Sequence, residues 1–132
     1  LQPKEDADLE DIRKVLIDLG DAFVQITSTN IETMRMFISE ARRYPEIGVD
    51  YVEHQIAPVE MQVASFLEHY ASTGLLQVED AQLAAHAFFG MTLNIVFTQK
   101  LLHAGQYLSR PAHQTVTQLV DIFLNGISAK SK

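Results

Sequence analysis

The stretch that decides the fold is Asp80–Gly105, DAQLAAHAFFGMTLNIVFTQKLLHAG. Its apolar residues occupy nearly every side of a helix, and such a helix is either buried on two sides or spans a membrane. A span needs about 20 mostly apolar residues, whereas Asn94 and Lys100 interrupt this run and are costly inside a bilayer. The stretch therefore predicts a helix that packs against its own domain and against a partner, without entering a membrane.

Helical spacing also marks the segments that precede this stretch. Apolar residues from Leu9 to Ile26 recur at steps of three and four, which is typical of one buried helix face. Thr29–Glu32 has the sequence of a capping box that opens a second helix, and Pro45 ends that helix because proline cannot continue the hydrogen-bond ladder. The third helix contains Pro58, whose ring displaces the carbonyl four residues back and predicts a kink or a break.

The last helix begins at Pro111 and carries an apolar arc wider than one core contact needs. Two consecutive helices with surplus apolar surface indicate a homodimer in which both helices pair with their symmetry mates. The sequence shows no strand pattern, repeat or linker. The predicted fold is therefore all-α: residues 1–132 form a single five-helix antiparallel bundle-like domain, whose last two helices form a four-helix dimer interface.

Composition and missing motifs argue against several classes of function. The formal net charge of −7 and the pI near 5.1 make the chain a poor partner for nucleic-acid phosphates. There is no cysteine, no Gly-rich phosphate loop, no Glu-x-x-His pair and no H-E-x-x-H motif, and the five histidines lack the spacing of metal ligands. The lack of cysteine is compatible with a cytoplasmic protein, which is the location we expect, and the missing motifs lead us to expect a protein that is not an enzyme, with no catalytic residue, metal site or cofactor.

Aromatic, Met and amide side chains within the helices raise the question of a ligand. Met and Phe on facing helices usually form core, but they also make adaptable walls for apolar ligands. Asn94 lies between Leu93 and Ile95, and a buried amide costs free energy unless it is hydrogen-bonded. Asn94 therefore satisfies a neighbouring group, crosses the dimer seam or contacts a ligand, and the three readings are equally open. For Gln99, the dimer seam is the leading reading.

Four short motifs carry a resemblance to a known family. They are EARRYPE at 40–46, YASTGLL at 70–76, EDAQLAA at 79–85 and FFGM at 88–91. Together with the order and lengths of the five helices, they resemble the carboxy-terminal domain of TetR-type transcriptional regulators, nearest the AcrR-like branch, from about Asp8 to Ile127. The helix-turn-helix of that family is missing from this chain, so no residue here is assigned to DNA binding.

The resemblance implies the effector-binding and dimerisation domain of a repressor that senses a small, largely apolar molecule. In such regulators, ligand binding shifts the spacing of two DNA-binding heads and releases the operator. Matched helix by helix, the implied ligand-binding residues are Leu16, Phe23, Met34, Phe37, Val59, Val63, Phe89, Leu93, Asn94 and Phe97. The implied dimer contacts are Phe88, Ile95, Gln99, Val116, Val120, Phe123 and Leu124. The expected partners are a second copy, the effector, and operator DNA bound only through an N-terminal domain.

Two alternatives stay open. A structural or partner-binding helical module, with a core filled by its own side chains, would lack a cavity of ligand size, roughly 300 Å³ or more. A small lyase or hydrolase would need His86 or His69 beside a carboxylate within a cleft.

Overall fold

The computed structural model describes residues 1–107 and 109–129, which form five helical rods. The rods are α1 (Leu9–Thr29), α2 (Ile31–Arg43), α3 (Pro45–Tyr51) continued by a π-helical segment (Val52–Ile56) into α4 (Ala57–Ser72), α5 (Ala81–Val96) continued by a second π-helical segment (Phe97–Leu101), and α6 (Ala112–Ile127). One isolated β-bridge, between Leu76 and Ser128, ties the end of α6 to the loop before α5. The predicted all-α, five-helix fold is confirmed.

Aspartate side chains define two of the helix starts. Asp8 accepts a hydrogen bond from the backbone N–H of Asp11, and the Asp11 carboxylate accepts one from the N–H of Asp8, which makes a reciprocal capping box. The N–H of Asp8 holds the pKa of Asp11 below its ordinary value, because a charged carboxylate is the better acceptor. Asp80 caps α5, with its carboxylate accepting a hydrogen bond from the backbone N–H of Leu83 at 3.1 Å. The predicted capping box at Thr29–Glu32 is wrong, because α1 runs through Thr29 and no side chain caps α2.

The third rod continues past Pro58 because the helix widens ahead of it. The backbone N–H of Ala57 donates to the carbonyl of Val52, five residues back, where an α-helix would use the carbonyl four back. Pro58 then occupies the first turn of α4, where a missing N–H leaves no intrahelical bond unmade. The predicted kink or break takes the form of a π-helical junction.

Four helices, α1, α4, α5 and α6, form a packed unit that we call the body. Its fully enclosed side chains include Leu16 of α1, Val63 of α4, Phe88 of α5 and Val116 of α6. The helix α5 contacts each of the other three. Apolar burial of this kind is the main stabilising term in folding, at about 25 cal/mol for each Å² removed from water.

The rod formed by α5 and its π-helical extension is the most apolar part of the chain. By length and composition alone, Ala81–Leu101 could cross a membrane, with a mean hydropathy of 1.2 over its most apolar window. In this fold one face of the rod is core, since Ala85, Phe88 and Thr92 are fully enclosed by protein. Packing inside the body therefore accounts for part of its apolar character, since 39% of that window is buried.

Helix α1 lies so close to α5 and α6 that only glycine fits at position 20. A β-carbon at Gly20 would lie 2.7 Å from Cγ1 of Val116 and 3.5 Å from Cγ2 of Thr92. An ion pair joins α1 and α6 near the surface, with Nε of Arg13 at 2.7 Å from Oδ1 of Asp121. The hydrogen bond from Arg13 lowers the pKa of Asp121 below its ordinary value.

The segment 31–56, which we call the limb, stands beside the body. It comprises α2, α3 and the first π-helical segment, and it contributes no buried side chain. Its helices pack largely on each other: the Phe37 ring stacks on Tyr51 with centroids 4.7 Å apart, and Gly48 approaches the β-carbon of Ala41. The limb is therefore a helical hairpin that is attached to the core without being part of it.

We expect Gly20→Ala to lower the free energy of unfolding by about 1–2 kcal/mol, since overpacking against a β-branched valine outweighs the helix propensity gained. Urea denaturation followed by circular dichroism measures this. The control is Gly126→Ala in α6, where an added β-carbon meets no atom within 4 Å. Equal stability of the two variants would contradict the close contact of α1 and α6.

We expect Asp121→Asn to lower the urea midpoint at pH 7, and the loss to shrink as the pH falls. The pKa of Asp121 in the folded chain lies below the ordinary value of 3.8, so its stabilisation is fully present above that value and disappears as the pH falls through the lower folded one. Urea midpoints at pH 7 and pH 3 test this. The control is Asp18→Asn, on an exposed site of α1, and a loss independent of pH would contradict the ion pair.

Candidate functional site

Arg35 fastens the limb to the body. Its Nη1 donates to the carbonyl oxygen of Leu101 at 3.1 Å, and its Nη2 donates to that of Lys100 at 3.4 Å. These carbonyls end the second π-helical segment, where helix carbonyls lack intrahelical partners and carry the negative end of the dipole. Glu32 lies 3.6 Å from Nε of Arg35 and orients the guanidinium. The position of the limb is therefore coupled to the C-terminal end of the α5 rod.

An open groove of about 570 Å³ lies between α2 and α3. It is lined by Met36, Phe37, Glu40, Glu46, Ile47 and Asp50. The four-residue spacing of Met36 and Glu40, and of Glu46 and Asp50, places each pair on one face of its helix. We call this site the limb groove. Its volume lies within the range of about 300–1,000 Å³ that small-molecule sites occupy.

A second groove, of about 580 Å³, lies where residues 1–3 pass along the first half of α4, beside Pro58 and Phe66. It is lined by neutral side chains of Met61, Gln62 and Ser65 together with the start of the chain. The limb groove differs from the second groove because carboxylates line it. Phe37 is the predicted ligand-binding residue that lines the limb groove.

The structure corrects three of the predicted ligand-binding residues. Leu16 and Val63 have no exposed surface, and Phe89 is 6% exposed and packs on Phe23 with ring centroids 4.9 Å apart. Leu16 and Val63 fill the body and have no surface to offer a ligand, and Phe89 has very little. The remaining residues keep surface that a ligand can reach and stay predictions: Phe23, Met34, Phe37, Val59, Leu93, Asn94 and Phe97.

The buried polar residue of α5 is Thr92, and Asn94 is exposed. The Thr92 hydroxyl is fully enclosed and donates to the carbonyl oxygen of Phe89 at 3.0 Å, one turn earlier in the helix. Asn94 is therefore not a buried amide within a single chain, and its contact with a dimer partner or a ligand stays a prediction. Asn94 belongs to the outer face of α5.

Most of the predicted dimer contacts also lie inside a single chain. Phe88, Val116 and Val120 have no exposed surface. Ile95, Phe123 and Leu124 are between 7% and 9% exposed. The structure corrects the assignments of Phe88, Val116 and Val120, because a fully enclosed side chain cannot gain burial from a partner. Ile95, Phe123 and Leu124 keep some exposed surface and stay predictions. Gln99 is half-buried and stays a prediction.

A different face of α5 and α6 is exposed with the spacing of a helix–helix seam. On the rod formed by α5 and the second π-helical segment it consists of Leu83, Ala87, Gly90, Asn94 and Phe97, at steps of four, three, four and three. On α6 it consists of Gln118, Ile122 and Asn125. This alternation of three and four is the spacing at which helices pack along their length. We call these eight residues the outer seam. Leu83 is 62% exposed and Ile122 is 65% exposed.

Two histidines join helices of the body through carboxylates. Nδ1 of His86 on α5 lies 2.7 Å from Oε1 of Glu60 on α4, and Nδ1 of His113 on α6 lies 2.7 Å from Oδ2 of Asp21 on α1. Neither pair lines either groove, and the described residues hold no group of three or more metal-ligating side chains. The two pairs are therefore links between helices at the surface.

Comparisons with known proteins agree on one fold. The family model described as the C-terminal domain of AefR-like transcriptional repressors matches residues 14–126. The chain is also similar to a crystal structure described as a TetR-family transcriptional regulator from Mesorhizobium loti MAFF303099, with a TM-score of 0.75 and 22% sequence identity, over 88% of this chain and 59% of that one. The chain thus spans about three fifths of that regulator's length. Among curated proteins, none matches it.

We expect Arg35→Ala to release the limb while the body stays intact. Amide hydrogen exchange in α2 should accelerate about fivefold, because two hydrogen bonds worth together about 1 kcal/mol are lost at a partly exposed site. Hydrogen exchange with mass spectrometry resolves α2 from α5. The control on the same helix is Arg42→Ala, at an exposed position. Unchanged exchange in Arg35→Ala would show that other contacts hold the limb.

Proposed function

Because the chain belongs to the TetR-type family of AefR-like repressor C-terminal domains, we propose that it is the effector-binding and dimerisation domain of a transcriptional repressor. The observation that carries this proposal is the division of the molecule into a packed body and an unburied limb. A segment with few buried contacts is drawn from the low-stability end of a fold and can change position at small cost. The body supplies the surface that a second copy would cover.

The outer seam supports dimerisation. Large apolar side chains such as Leu83 and Ile122 lose unfavourable contact with water when a second copy covers them. Gly90 belongs to the same outer seam, and no atom that could crowd an added β-carbon comes within 4 Å of it. Glycine inside a helix costs about 0.5–1 kcal/mol relative to alanine, so close approach of a partner helix gives it a use. Pairing α5 and α6 with their symmetry mates makes a four-helix interface.

The limb supports effector binding. An effector seated against Phe37, Met34 and the limb groove changes the position of α2, and Arg35 transmits that change to the end of the α5 rod. Since α5 also carries the outer seam, movement of the rod alters the arrangement of the two copies. The two arrangements of the dimer, with and without effector, are then the two states that a ligand switch requires.

DNA binding, in this proposal, belongs to an N-terminal domain outside residues 1–132. The acidic net charge of −7 fits this division, because phosphate contacts need clustered Lys and Arg. Effector binding to the limb then lowers the affinity of the dimer for its operator. No catalytic step is proposed, since the His86–Glu60 pair is a surface link with the histidine side chain 72% exposed.

The second candidate is a structural or partner-binding helical module without a small-molecule ligand. The filled core favours it, since Leu16, Val63 and Phe89 occupy the interior that an enclosed pocket would need. On that reading the limb is a docking arm for another protein, and no effector accompanies the purified chain.

We expect native mass spectrometry to show a species of twice the chain mass, and Leu83→Glu or Ile122→Glu to raise its dissociation constant roughly a hundredfold or more, because two unpaired charges would be buried at the seam. The control is Met61→Glu, an equally exposed apolar position on α4. A wild-type monomer, or variants that remain dimeric, would contradict the outer seam. A discrete extra mass lost on denaturation would support an effector, and a bare dimer with operator affinity insensitive to candidate effectors would favour the second candidate.

A further inference from the structure

The limb groove combines an apolar wall with acidic rims. Met36, Phe37 and Ile47 form the apolar part, and Met36 is 54% exposed to water. Phe37 is held in place by its stack on Tyr51, so the groove does not depend on an unsupported aromatic ring. Exposed apolar side chains gathered in a cavity of about 570 Å³ favour an occupant with an apolar body.

The charges at the rims specify the rest of the occupant. Glu40, Glu46 and Asp50 line the groove from both helices. Within residues 1–107 and 109–129, the ion pairs include none to Glu40 or Glu46, and Asp50 pairs with its neighbour His54 at 3.1 Å. The negative charges of Glu40 and Glu46 repel anions. A neutral apolar ligand would remove water from these carboxylates without replacing the lost hydrogen bonds.

We propose that the limb groove binds a small hydrophobic cation, such as an aromatic or alkylated ammonium or phosphonium ion. Its apolar body contacts Met36 and Ile47, and its charge lies beside Glu40 and Glu46. The ring of Phe37 adds attraction, because aromatic faces bind weakly hydrated cations. This inference rests on the proposed function where it concerns regulation, since the cation is then the effector. Met36, which lines the groove, directly follows Arg35 in α2.

Tetraphenylphosphonium and tetraphenylborate test the proposal directly, because the two ions share size and shape and differ in the sign of their charge. Isothermal titration of the full chain should show binding of tetraphenylphosphonium and none of tetraphenylborate. The double variant Glu40→Gln, Glu46→Gln should bind the cation roughly tenfold more weakly, at a factor of about three for each partly exposed carboxylate. Phe37→Leu should weaken binding roughly threefold.

The matched control is Glu68→Gln, Glu79→Gln, which removes two exposed carboxylates elsewhere and leaves the same net charge. The proposal is overturned if the two ions bind equally, if the control weakens binding as much as the groove variant, or if the cation does not bind. Operator release is a separate measurement: a cation that binds through Glu40 and Glu46 without releasing DNA keeps the site and contradicts the effector role. Operator release by a molecule whose affinity does not depend on Glu40 and Glu46 would keep an effector role for the domain and contradict the limb groove as its site.

Discussion

The contact of α1 with α5 and α6 at Gly20 is the constraint on which the rest of the structure depends. With no side chain at this position, α1 packs directly on Val116 and Thr92. That packing fixes which faces of α5 and α6 turn inward, and it places Phe88 against Phe123 with centroids 5.4 Å apart. The residues that α5 and α6 bury in the body determine which residues they expose, since one side chain cannot lie on both the buried and the exposed face of a helix. The position of the outer seam therefore follows from a contact on the opposite side of the helices.

The limb follows from the same packing. Once four helices have satisfied one another, α2 and α3 find no further core to join, and they form a hairpin with a small stack of its own at Phe37 and Tyr51. The first π-helical segment joins the limb to α4 of the body, and the second follows α5. Wider turns of this kind are frequent at functional sites. Here the first of them lets the third rod continue past Pro58.

The sequence predicts the number, order and approximate length of the helices, because three-and-four spacing and the Asp80 cap are local signals. It does not predict how α5 and α6 are rotated, because both helices are apolar on more than one face and the largest side chains suit either a core or a seam. That ambiguity led Phe88 and Val116 to be placed between two chains when they lie within one. Thr29–Glu32 fits a capping pattern, yet α1 includes Thr29, whose hydroxyl donates to the carbonyl oxygen of Gln25 instead of capping α2.

The limb groove escapes prediction for another reason. Met36 and Glu40 lie on one face of α2, and Glu46 and Asp50 lie on one face of α3. The residue spacing therefore predicts each wall of the groove separately. Their meeting depends on the turn at Tyr44 and Pro45, whose geometry no periodicity encodes. Of the predicted ligand-binding residues, Phe37 reaches the groove because it serves both the stack and the wall.

Arg35 binds the main-chain oxygens of Lys100 and Leu101 and no side-chain atom of either residue. These hydrogen bonds therefore place no requirement on the side chains at positions 100 and 101, so related sequences can vary there while Arg35 still holds the limb. A guanidinium at position 35 has no such freedom, because its two donors must span adjacent carbonyls. Among homologues, position 35 would then change little and would show no correlated change with positions 100 and 101, although the two sites touch.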